Sequence, residues 1–354
     1  MEFREYIKEY IKRHPSAEPC DVIKACYQAA MGAEHLLGNV EAAKKYFFAE
    51  LESAEEKKGE LFDRLSDDVC RVDMRAWKAE GMPPEWLFKI FLLSAQGFTG
   101  DRERLSDYIS KAESCFDEVK LNFSMDEWRD FLEKYKDAGM PAVHHSESFR
   151  QSEKPSYRII KTEFLPVIKV LLSLKGIKDK NDGEATVIAI DGRAASGKST
   201  LAKLLSSVLD AEVVHMDDFF LPLELRSDER LSEAGGNIHY ERFAEEVLPY
   251  VRLSGAFEYG VFDCGEMKIS SKRTVEQSSI RIVEGSYSTH PVFERYADLC
   301  IFCTVTPEEQ MRRIIGRDGE RWARIFGERW IPMEEKYFSA FDIKGKADIV
   351  IAMA

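Results

Sequence analysis

Apolar residues recur at helical spacing through most of the first half of the chain. Over residues 3–13 (FREYIKEYIKR) the aromatic and aliphatic side chains fall at i, i+3, i+4 and i+7, which predicts an amphipathic helix. The same spacing predicts further helices over residues 21–37, 40–57, 84–96, 102–119 and 125–137. Alternating residues 69–77 predict one strand, and the apolar stretch 155–175 predicts a long helix kinked at Pro166. The first half is therefore expected to be mainly α-helical.

The pattern changes after a polar, glycine-containing segment, residues 176–185, which is typical of a linker. Short apolar runs then alternate with helical segments, and these runs are residues 186–190, 211–216, 280–284, 298–305 and 347–353. Such runs are typical of a parallel sheet covered by helices on both faces. We therefore predict a mainly α-helical domain over residues 1–178 and an α/β domain over residues 179–354.

The composition of the chain disfavours nucleic-acid-binding and membrane-spanning proteins. The chain of 354 residues has 50 Lys and Arg against 63 Asp and Glu, and its net charge is −13. Because nucleic-acid affinity depends largely on basic surface, a general nucleic-acid-binding role is disfavoured. No apolar run approaches the roughly 18 residues of a membrane span, and the charged N-terminus lacks the apolar core of a secretory signal. We expect a cytoplasmic protein without a membrane or nucleic-acid partner.

Seven cysteines are present, and only Cys300 and Cys303 are close enough in sequence to form a motif. A CxxC pair in a reducing compartment can be a redox or metal site. Here the pair lies in an apolar run, so we favour two thiols packed in a protein core.

Residues 192–199 read GRAASGKS, which fits the phosphate-binding pattern GxxxxGK[ST] between a predicted strand and a predicted helix. The two glycines allow turns that direct successive backbone N–H groups toward a phosphate. Lys198 offers a cation to the β- and γ-phosphates, and Ser199 offers a hydroxyl to Mg²⁺. A GTPase-type Asn-Lys-x-Asp element is missing from the sequence. The predicted ATP-binding residues are Gly192, Ala194, Ala195, Ser196, Gly197, Lys198, Ser199 and Thr200.

Two acids lie at the carboxyl ends of predicted strands. Asp217 directly follows the run 211–216, and in an open α/β sheet the carboxyl end of a strand faces the ligand crevice. It could accept the proton of a substrate hydroxyl or hold Mg²⁺, and the structural alternative is a helix N-cap. Glu284, with Gly285 behind it, resembles a Walker B acid. The predicted metal-binding set is Ser199, Asp217 and Glu284.

Residues 307–330 contain six arginines and no lysine: Arg312, Arg313, Arg317, Arg321, Arg324 and Arg329. The guanidinium fork suits phosphate oxygens, although interleaved acids make a solvent-exposed charged helix the alternative for about half of the six. We favour Arg313 and Arg317, which lie four residues apart on one helical face.

Together these segments resemble the uridine kinase-like family of P-loop kinases, which includes uridine-cytidine, nicotinamide riboside and pantothenate kinases and phosphoribulokinase. The resemblance covers residues 186–354: GRAASGKST is similar to the phosphate loop, HMDDFF to the segment with the catalytic aspartate, and MRRIIGRDGERW to the arginine-rich lid. NIHYERF resembles a degraded Asn-x-Asp-His-Pro region, and VFDC a ribose-binding segment. The acceptor contacts that the resemblance implies are Asp217, Phe220, Tyr240 and Asp263.

The sequence therefore predicts an ATP- and Mg²⁺-dependent kinase that phosphorylates a hydroxyl of a small metabolite, a nucleoside or a sugar-like acceptor. The residues expected to act in catalysis are Asp217, Lys198, Arg313 and Arg317. The alternative is an ATP-hydrolysing regulatory module whose N-terminal domain is the effector. A polynucleotide 5′-kinase is disfavoured by the net charge of −13.

The N-terminal half resembles no family whose activity could be carried over. Its polar residues that could converge on a second ligand site are Gln28, His35, Asp73, Arg75, His144, His145 and Arg158. A metal site at the three histidines and an anion site at Arg71, Arg75 and Arg158 are alternatives to a plain helical domain with solvated polar residues. This half could regulate the kinase, form a homo-oligomer interface or cover the acceptor pocket.

Overall fold

The computed structural model describes residues 2–33, 39–177 and 183–353. Contacts divide the chain into two compact units, Met1–Leu165 and Pro166–Ala354. The domain boundary predicted at residue 178 lies outside the described residues and stays a prediction, as does everything predicted for His35.

The N-terminal unit is mainly helical around one small sheet. Its helices are α1 Phe3–Arg13, α2 Pro19–Met31, α3 Val40–Ser53, α4 Met74–Ala79, α5 Pro84–Gln96, α6 Arg102–Glu113, α7 Met125–Asp137 and α8 Glu147–Glu153. Its strands are β1 Phe62–Arg64, β2 Val69–Asp73 and β3 Tyr157–Lys161, in the antiparallel order β1-β2-β3. Helix α1 buries its predicted apolar stripe, which confirms the helical pattern.

The prediction of one long helix over residues 155–175 was wrong. Residues Tyr157–Lys161 form β3, which pairs with β2 and buries Ile159 and Ile160. Helix α9 begins only at Leu165 and ends at Leu174. Pro166 therefore lies in the first turn of α9, where a missing N–H costs no helical hydrogen bond, and causes no kink in the middle of a helix.

The C-terminal unit is built on a parallel sheet with helices around it. Its strands are β4 Thr186–Gly192, β5 Glu212–His215, β6 Phe257–Asp263, β7 Lys268–Val275, β8 Ile280–Glu284, β9 Leu299–Thr304 and β10 Ile349–Ala352. Its helices after α9 are α10 Lys198–Leu209, α11 Asp228–Ser232, α12 Tyr240–Glu246, α13 Pro307–Asp318, α14 Glu320–Ile325, α15 Ile331–Phe341 and α16 Ile343–Lys346, with a π-helical turn at Phe326–Trp330. All five predicted apolar runs are strands of one sheet, so the α/β class is confirmed.

The order of this sheet is β10-β9-β4-β8-β5, and every pair is parallel. Strand β8 lies between β4 and β5, so the chain crosses over between consecutive strands. Glu284 at the end of β8 is level with Ile190 on one side and with His215 on the other. The carboxyl ends of three strands therefore meet at one edge, which is where ligands bind in open α/β sheets.

One element of the C-terminal unit was not predicted from the sequence. Strands β6 and β7 form a separate antiparallel hairpin that the sequence analysis missed.

Cys300 and Cys303 are free, and burial raises the pKa of the Cys303 thiol to about 12, as suits a core residue. Within the described ranges, no helix combines the length and apolarity needed to cross a membrane.

Candidate active site

The loop between β4 and α10 has a backbone that only glycine fits at two positions. Gly192 has φ of 133°, and a Cβ there would lie 2.0 Å from the carbonyl oxygen of Cys303. Gly197 has φ of 93°, and its Cβ would lie 2.7 Å from Cβ of Met353. At each position the neighbouring residue, Cys303 or Met353, leaves no room for a side chain, so glycine is required on steric grounds.

The lysine of the loop lies folded into its concave side. Lys198 Nζ donates to the carbonyl oxygens of Gly192 at 2.8 Å and Arg193 at 2.9 Å. Lys198 is also the first residue of α10, so the partial positive charge of the helix N-terminus lies beside its ammonium group at the loop. This is an arrangement suited to an anionic phosphate group.

Glu284 joins the loop to the neighbouring strand. Its buried carboxylate accepts a hydrogen bond from Ser199 Oγ at 3.1 Å and contacts His215 Nδ1 at 2.5 Å. Hydroxyl and carboxylate oxygens are the ligands that Mg²⁺ prefers, so these residues fit that ion. Among the described residues no group of three or more His, Cys, Asp and Glu is arranged to hold a metal. Mg²⁺ in kinases commonly takes one or two carboxylates and completes its shell with water and substrate phosphates.

The neighbours Asp217 and Asp218 face opposite ways. Asp218 is buried and accepts from the hydroxyl of Tyr259 at 3.0 Å, with Arg273 at 3.3 Å. Asp217 is exposed in the crevice and has no hydrogen-bond partner in the described part of the chain. Because Asp217 lies within the crevice, the surrounding protein still desolvates its carboxyl and raises its pKa above the usual value, and Lys198 only partly opposes that shift. Asp217 is therefore the acid of this pair that is free to meet a ligand.

Asp191, just before the loop, is a residue that the sequence analysis missed. It is 1% exposed and accepts five hydrogen bonds. These come from the backbone N–H groups of Gly192, Tyr287 and Thr289, from Thr289 Oγ1 at 2.7 Å and from the hydroxyl of Tyr337 at 2.8 Å. Asp191 thus fixes the start of the loop to the segment that follows β8.

Helix α15 holds the loop with two consecutive acids, which the sequence analysis also missed. Glu334 accepts from the backbone N–H of Ala194 at 2.9 Å and from Ser286 Oγ at 2.7 Å. Burial raises the pKa of its carboxyl, and Lys198 partly opposes that shift. Glu335 forms an ion pair with Arg193, with 2.5 Å between Nε and Oε1. No local motif marks these acids, because they lie about 140 residues from the loop in sequence.

The two favoured arginines of α13 differ in their surroundings. Arg313 donates to the carbonyl oxygens of Met353 at 2.9 Å and Ala195 at 3.4 Å, and pairs with Glu309 at 2.7 Å. Arg317 is 59% exposed and pairs with its neighbour Asp318. The structure thus brings Arg313, but not Arg317, to the phosphate loop.

The predicted acceptor contacts are spread over three elements. Phe220 pairs with Ile238 in an isolated antiparallel bridge. The ring of Tyr240 lies 3.6 Å from the Arg230 guanidinium carbon, and its hydroxyl contacts the same arginine. Asp263 lies at the β6–β7 turn. The backbone N–H groups of Gly265 and Glu266 donate to its Oδ1 at 2.7 and 2.9 Å, which lowers its pKa.

The polar residues singled out in the N-terminal half separate into two groups. Gln28 and His145 meet in one hydrogen-bonded cluster through Tyr157. Asp73 instead caps α4 and pairs with Arg75 at 2.9 Å, and Arg158 pairs with Glu50 at 2.7 Å. His144 is exposed. Among the described residues of this set, the structure thus brings Gln28 and His145 together, and a ligand site there stays a prediction.

Comparison with known proteins gives structural likeness alone. No protein-family model matches the chain, and no curated protein matches it. A possible uridine kinase from Bacillus stearothermophilus is 22% identical with a TM-score of 0.41, over 52% of this chain and 97% of its own. A protein assigned as a fructose transport system kinase from Silicibacter sp. TM1040 is 21% identical with a TM-score of 0.38, over 51% and 95%. D-glycerate 3-kinase from Cryptococcus neoformans var. grubii is 12% identical with a TM-score of 0.33, over 49% and 86%.

Proposed function

We propose that the C-terminal unit transfers the γ-phosphoryl group of ATP to a hydroxyl of a small metabolite. The observation that carries this proposal is Asp217, an exposed carboxylate at the carboxyl end of β5 and near Lys198. An ATPase that only switches conformation has no need of a carboxylate poised for an acceptor hydroxyl. A phosphotransferase does, because the hydroxyl loses its proton as it attacks.

Each loop residue then has a role that follows from its position. The backbone N–H groups of the loop and Lys198 bind the phosphates, and Ser199, Asp217 and Glu284 are the residues that would hold Mg²⁺. The ion, when bound, would neutralise charge on the phosphate oxygens. Arg313 lies against the loop, where its guanidinium can stabilise charge on the transferred group, and Arg317 would join it on closure of the helix.

The proton path is short. Asp217 orients the acceptor hydroxyl and takes its proton, while Asp218 keeps the segment in place through Tyr259. Phosphoryl transfer depends mainly on positioning and on charge stabilisation, and Asp191 and Glu334 contribute to positioning because they hold the loop in place. The acceptor is proposed to be a nucleoside or a sugar-like molecule, and the protein to work in the cytoplasm.

The test is ADP release with ATP and Mg²⁺ against a panel of nucleosides, pantothenate, sugars and sugar phosphates. Wild type is compared with Asp217→Asn and with the matched control Asp228→Asn, an exposed aspartate in the first turn of α11. One acceptor should stimulate release, and Asp217→Asn should lower that rate by about 10²–10⁴ while the control does not. Release that no acceptor stimulates and that Asp217→Asn leaves unchanged would favour the regulatory ATPase instead.

A further inference from the structure

A buried polar cluster occupies the N-terminal unit, far in sequence from the phosphate loop. Its first member, Asp21 on α2, is fully buried. Its carboxylate accepts from the backbone N–H of Glu18 at 3.0 Å and of Ser146 at 3.1 Å, from Ser146 Oγ at 2.7 Å and from His145 Nδ1 at 2.7 Å. These four hydrogen bonds compensate the negative charge of Asp21 within the protein.

From Asp21 the hydrogen bonds lead outward through His145. Burial lowers the pKa of His145 to about 4, so the ring is neutral near pH 7. Because Nδ1 donates its proton to Asp21, Nε2 accepts from the Tyr157 hydroxyl, which lies at 2.8 Å. The same hydroxyl accepts from Gln28 Nε2 at 3.1 Å. Tyr157 is only partly buried, so this chain of bonds ends near solvent.

Arg71 on β2 lies beside this chain and is 5% exposed. Its Nε and Nη2 both donate to Gln28 Oε1, at 3.0 and 2.5 Å, and its guanidinium carbon lies 4.6 Å from the ring centre of Tyr157. The carboxylate paired with Arg71, Asp63, is 3.5 Å away and also serves Tyr6 and Arg13. Its Nη1 also donates to the Tyr6 hydroxyl at 3.4 Å. Arg71 is therefore held in place by neutral acceptors and by one carboxylate, Asp63, which it shares with Arg13.

A further cation, Lys24, lies on the same face of α2 as Asp21 and Gln28. Lys24 lies one turn after Asp21 on α2, and its Nζ donates to the carbonyl oxygen of Val143 at 2.8 Å. No carboxylate pairs with it in the described parts of the chain, and burial, together with Arg71 and Arg150, lowers its pKa to about 8. Arg150 follows Phe149, whose ring stacks on His145 at 4.3 Å, and the Arg150 side chain itself is exposed.

The hydroxyl of Tyr10 is buried without a hydrogen-bond partner among the described residues, and its ring lies 5.5 Å from the Arg71 guanidinium carbon. A buried hydroxyl without a partner is uncommon in folded proteins and calls for an explanation. An acceptor group bound near Arg71 would supply one.

We propose that the N-terminal unit has a second ligand site, which binds the oxyanion of a small molecule, carboxylate or phosphate, against Lys24, Arg71 and Arg150 beside the Tyr157 hydroxyl. Lys24 and Arg71 lie at this cluster, and the exposed Arg150 is close enough to lower the pKa of Lys24. Asp21 and Asp63 each accept from several groups, so neither carboxylate serves one cation alone. An oxyanion with two or more acceptor oxygens matches the forked donors of arginine and the ammonium of lysine. The site does not depend on the proposed kinase activity.

The test is calorimetric titration of the full chain with inorganic phosphate and with malonate. The chain has Lys198→Ala as background, so that the phosphate loop contributes little. At least one probe should bind, and affinity should fall about tenfold or more when Lys24→Met and Arg150→Gln are added. The matched control is Lys44→Met with Arg129→Gln, which changes an exposed lysine and an exposed arginine elsewhere in the same unit.

The two probes distinguish the sources of the oxyanion, because phosphate binding alone indicates a phosphorylated ligand and malonate binding alone a carboxylate. Failure of both probes to bind, or equal affinity in the double variant and its control, overturns the proposal. Circular dichroism verifies folding. If the double variant is unfolded, Arg150→Gln alone replaces it, since that side chain is exposed and has no partner in the described residues.

Discussion

The backbone N–H of Ala194 donates to the carboxylate of Glu334 at 2.9 Å, so a helix near the end of the chain holds the phosphate loop in shape. The same carboxylate accepts from Ser286, whose Oγ also lies 3.1 Å from the carbonyl oxygen of Gly192. Loop, β8 and α15 therefore share one buried acid, and a change at that acid should reach the loop.

Glu334→Ala should destabilise the protein by about 1–3 kcal/mol, because it leaves the buried N–H of Ala194 without an acceptor. The measurement is the free energy of unfolding in urea. Glu328→Ala, at an exposed glutamate in the adjoining π-helical turn, is the control and should change it by no more than about 0.5 kcal/mol. Equal effects of the two variants would contradict the structural role assigned to Glu334.

Gly192→Ala should abolish nucleotide binding and cost at least about 2 kcal/mol of stability. Its Cβ would lie 2.0 Å from the Cys303 carbonyl oxygen, and alanine at φ of 133° is strained in any surroundings. Titration with a fluorescent ADP analogue measures the binding. Gly316→Ala on α13, where a Cβ meets nothing within 4 Å, should bind as wild type. Normal binding by Gly192→Ala would show that the loop does not need this backbone conformation.

The rate of acceptor phosphorylation should fall on the acid side at a higher pH than an ordinary aspartate would cause. Asp217 must be ionised to take a proton, and desolvation raises its pKa above the usual value. Activity is therefore present above the raised pKa and is lost as pH falls through it. The dependence of kcat/KM on pH measures this limb. An acid limb that is the same in Asp217→Asn, measured on its residual activity, would assign it to another group.

Stability should fall as pH drops from about 6.5 toward 4, because His145 stays neutral in the folded chain while it takes up a proton when unfolded. Burial lowers its pKa from 6.5 to about 4, so this group alone can cost up to about 3 kcal/mol across that window. Urea unfolding at pH 5 and pH 7 measures the loss. His145→Asn should show a smaller difference between the two pH values than wild type. His144→Asn, at an exposed histidine, should behave as wild type.

Contiguous signals in the sequence were enough to predict which residues lie together at the centre of the candidate site. The loop residues 192–199 form one motif, and Asp217 and Glu284 each lie at the carboxyl end of an apolar strand, so the sheet brings them together without further information. Glu334, Asp191 and His215 could not be predicted in the same way. Their contacts join segments that are remote in sequence, and a buried acid on a helix looks like a solvated one until the helix is packed.

The N-terminal half shows the same limit. Gln28 and His145 were noticed as polar residues in apolar surroundings, but only the fold places Tyr157 and Arg71 between them. Asp73 looked equivalent in the sequence, yet it is satisfied by its own helix cap. The 155–175 segment was misassigned because its apolar residues fit a helix, while the cross-strand partner Val69–Asp73 that makes part of it a strand lies more than 80 residues away.

Phosphoryl transfer to an acceptor can be observed directly by ³¹P NMR of the full chain with ATP, Mg²⁺ and the acceptor panel. We expect a new phosphate-ester resonance, coupled to protons of one acceptor, that grows as ATP is consumed and is lost in Asp217→Asn but not in Asp228→Asn. Growth of inorganic phosphate alone, at the same rate in wild type and in Asp217→Asn, would contradict this expectation.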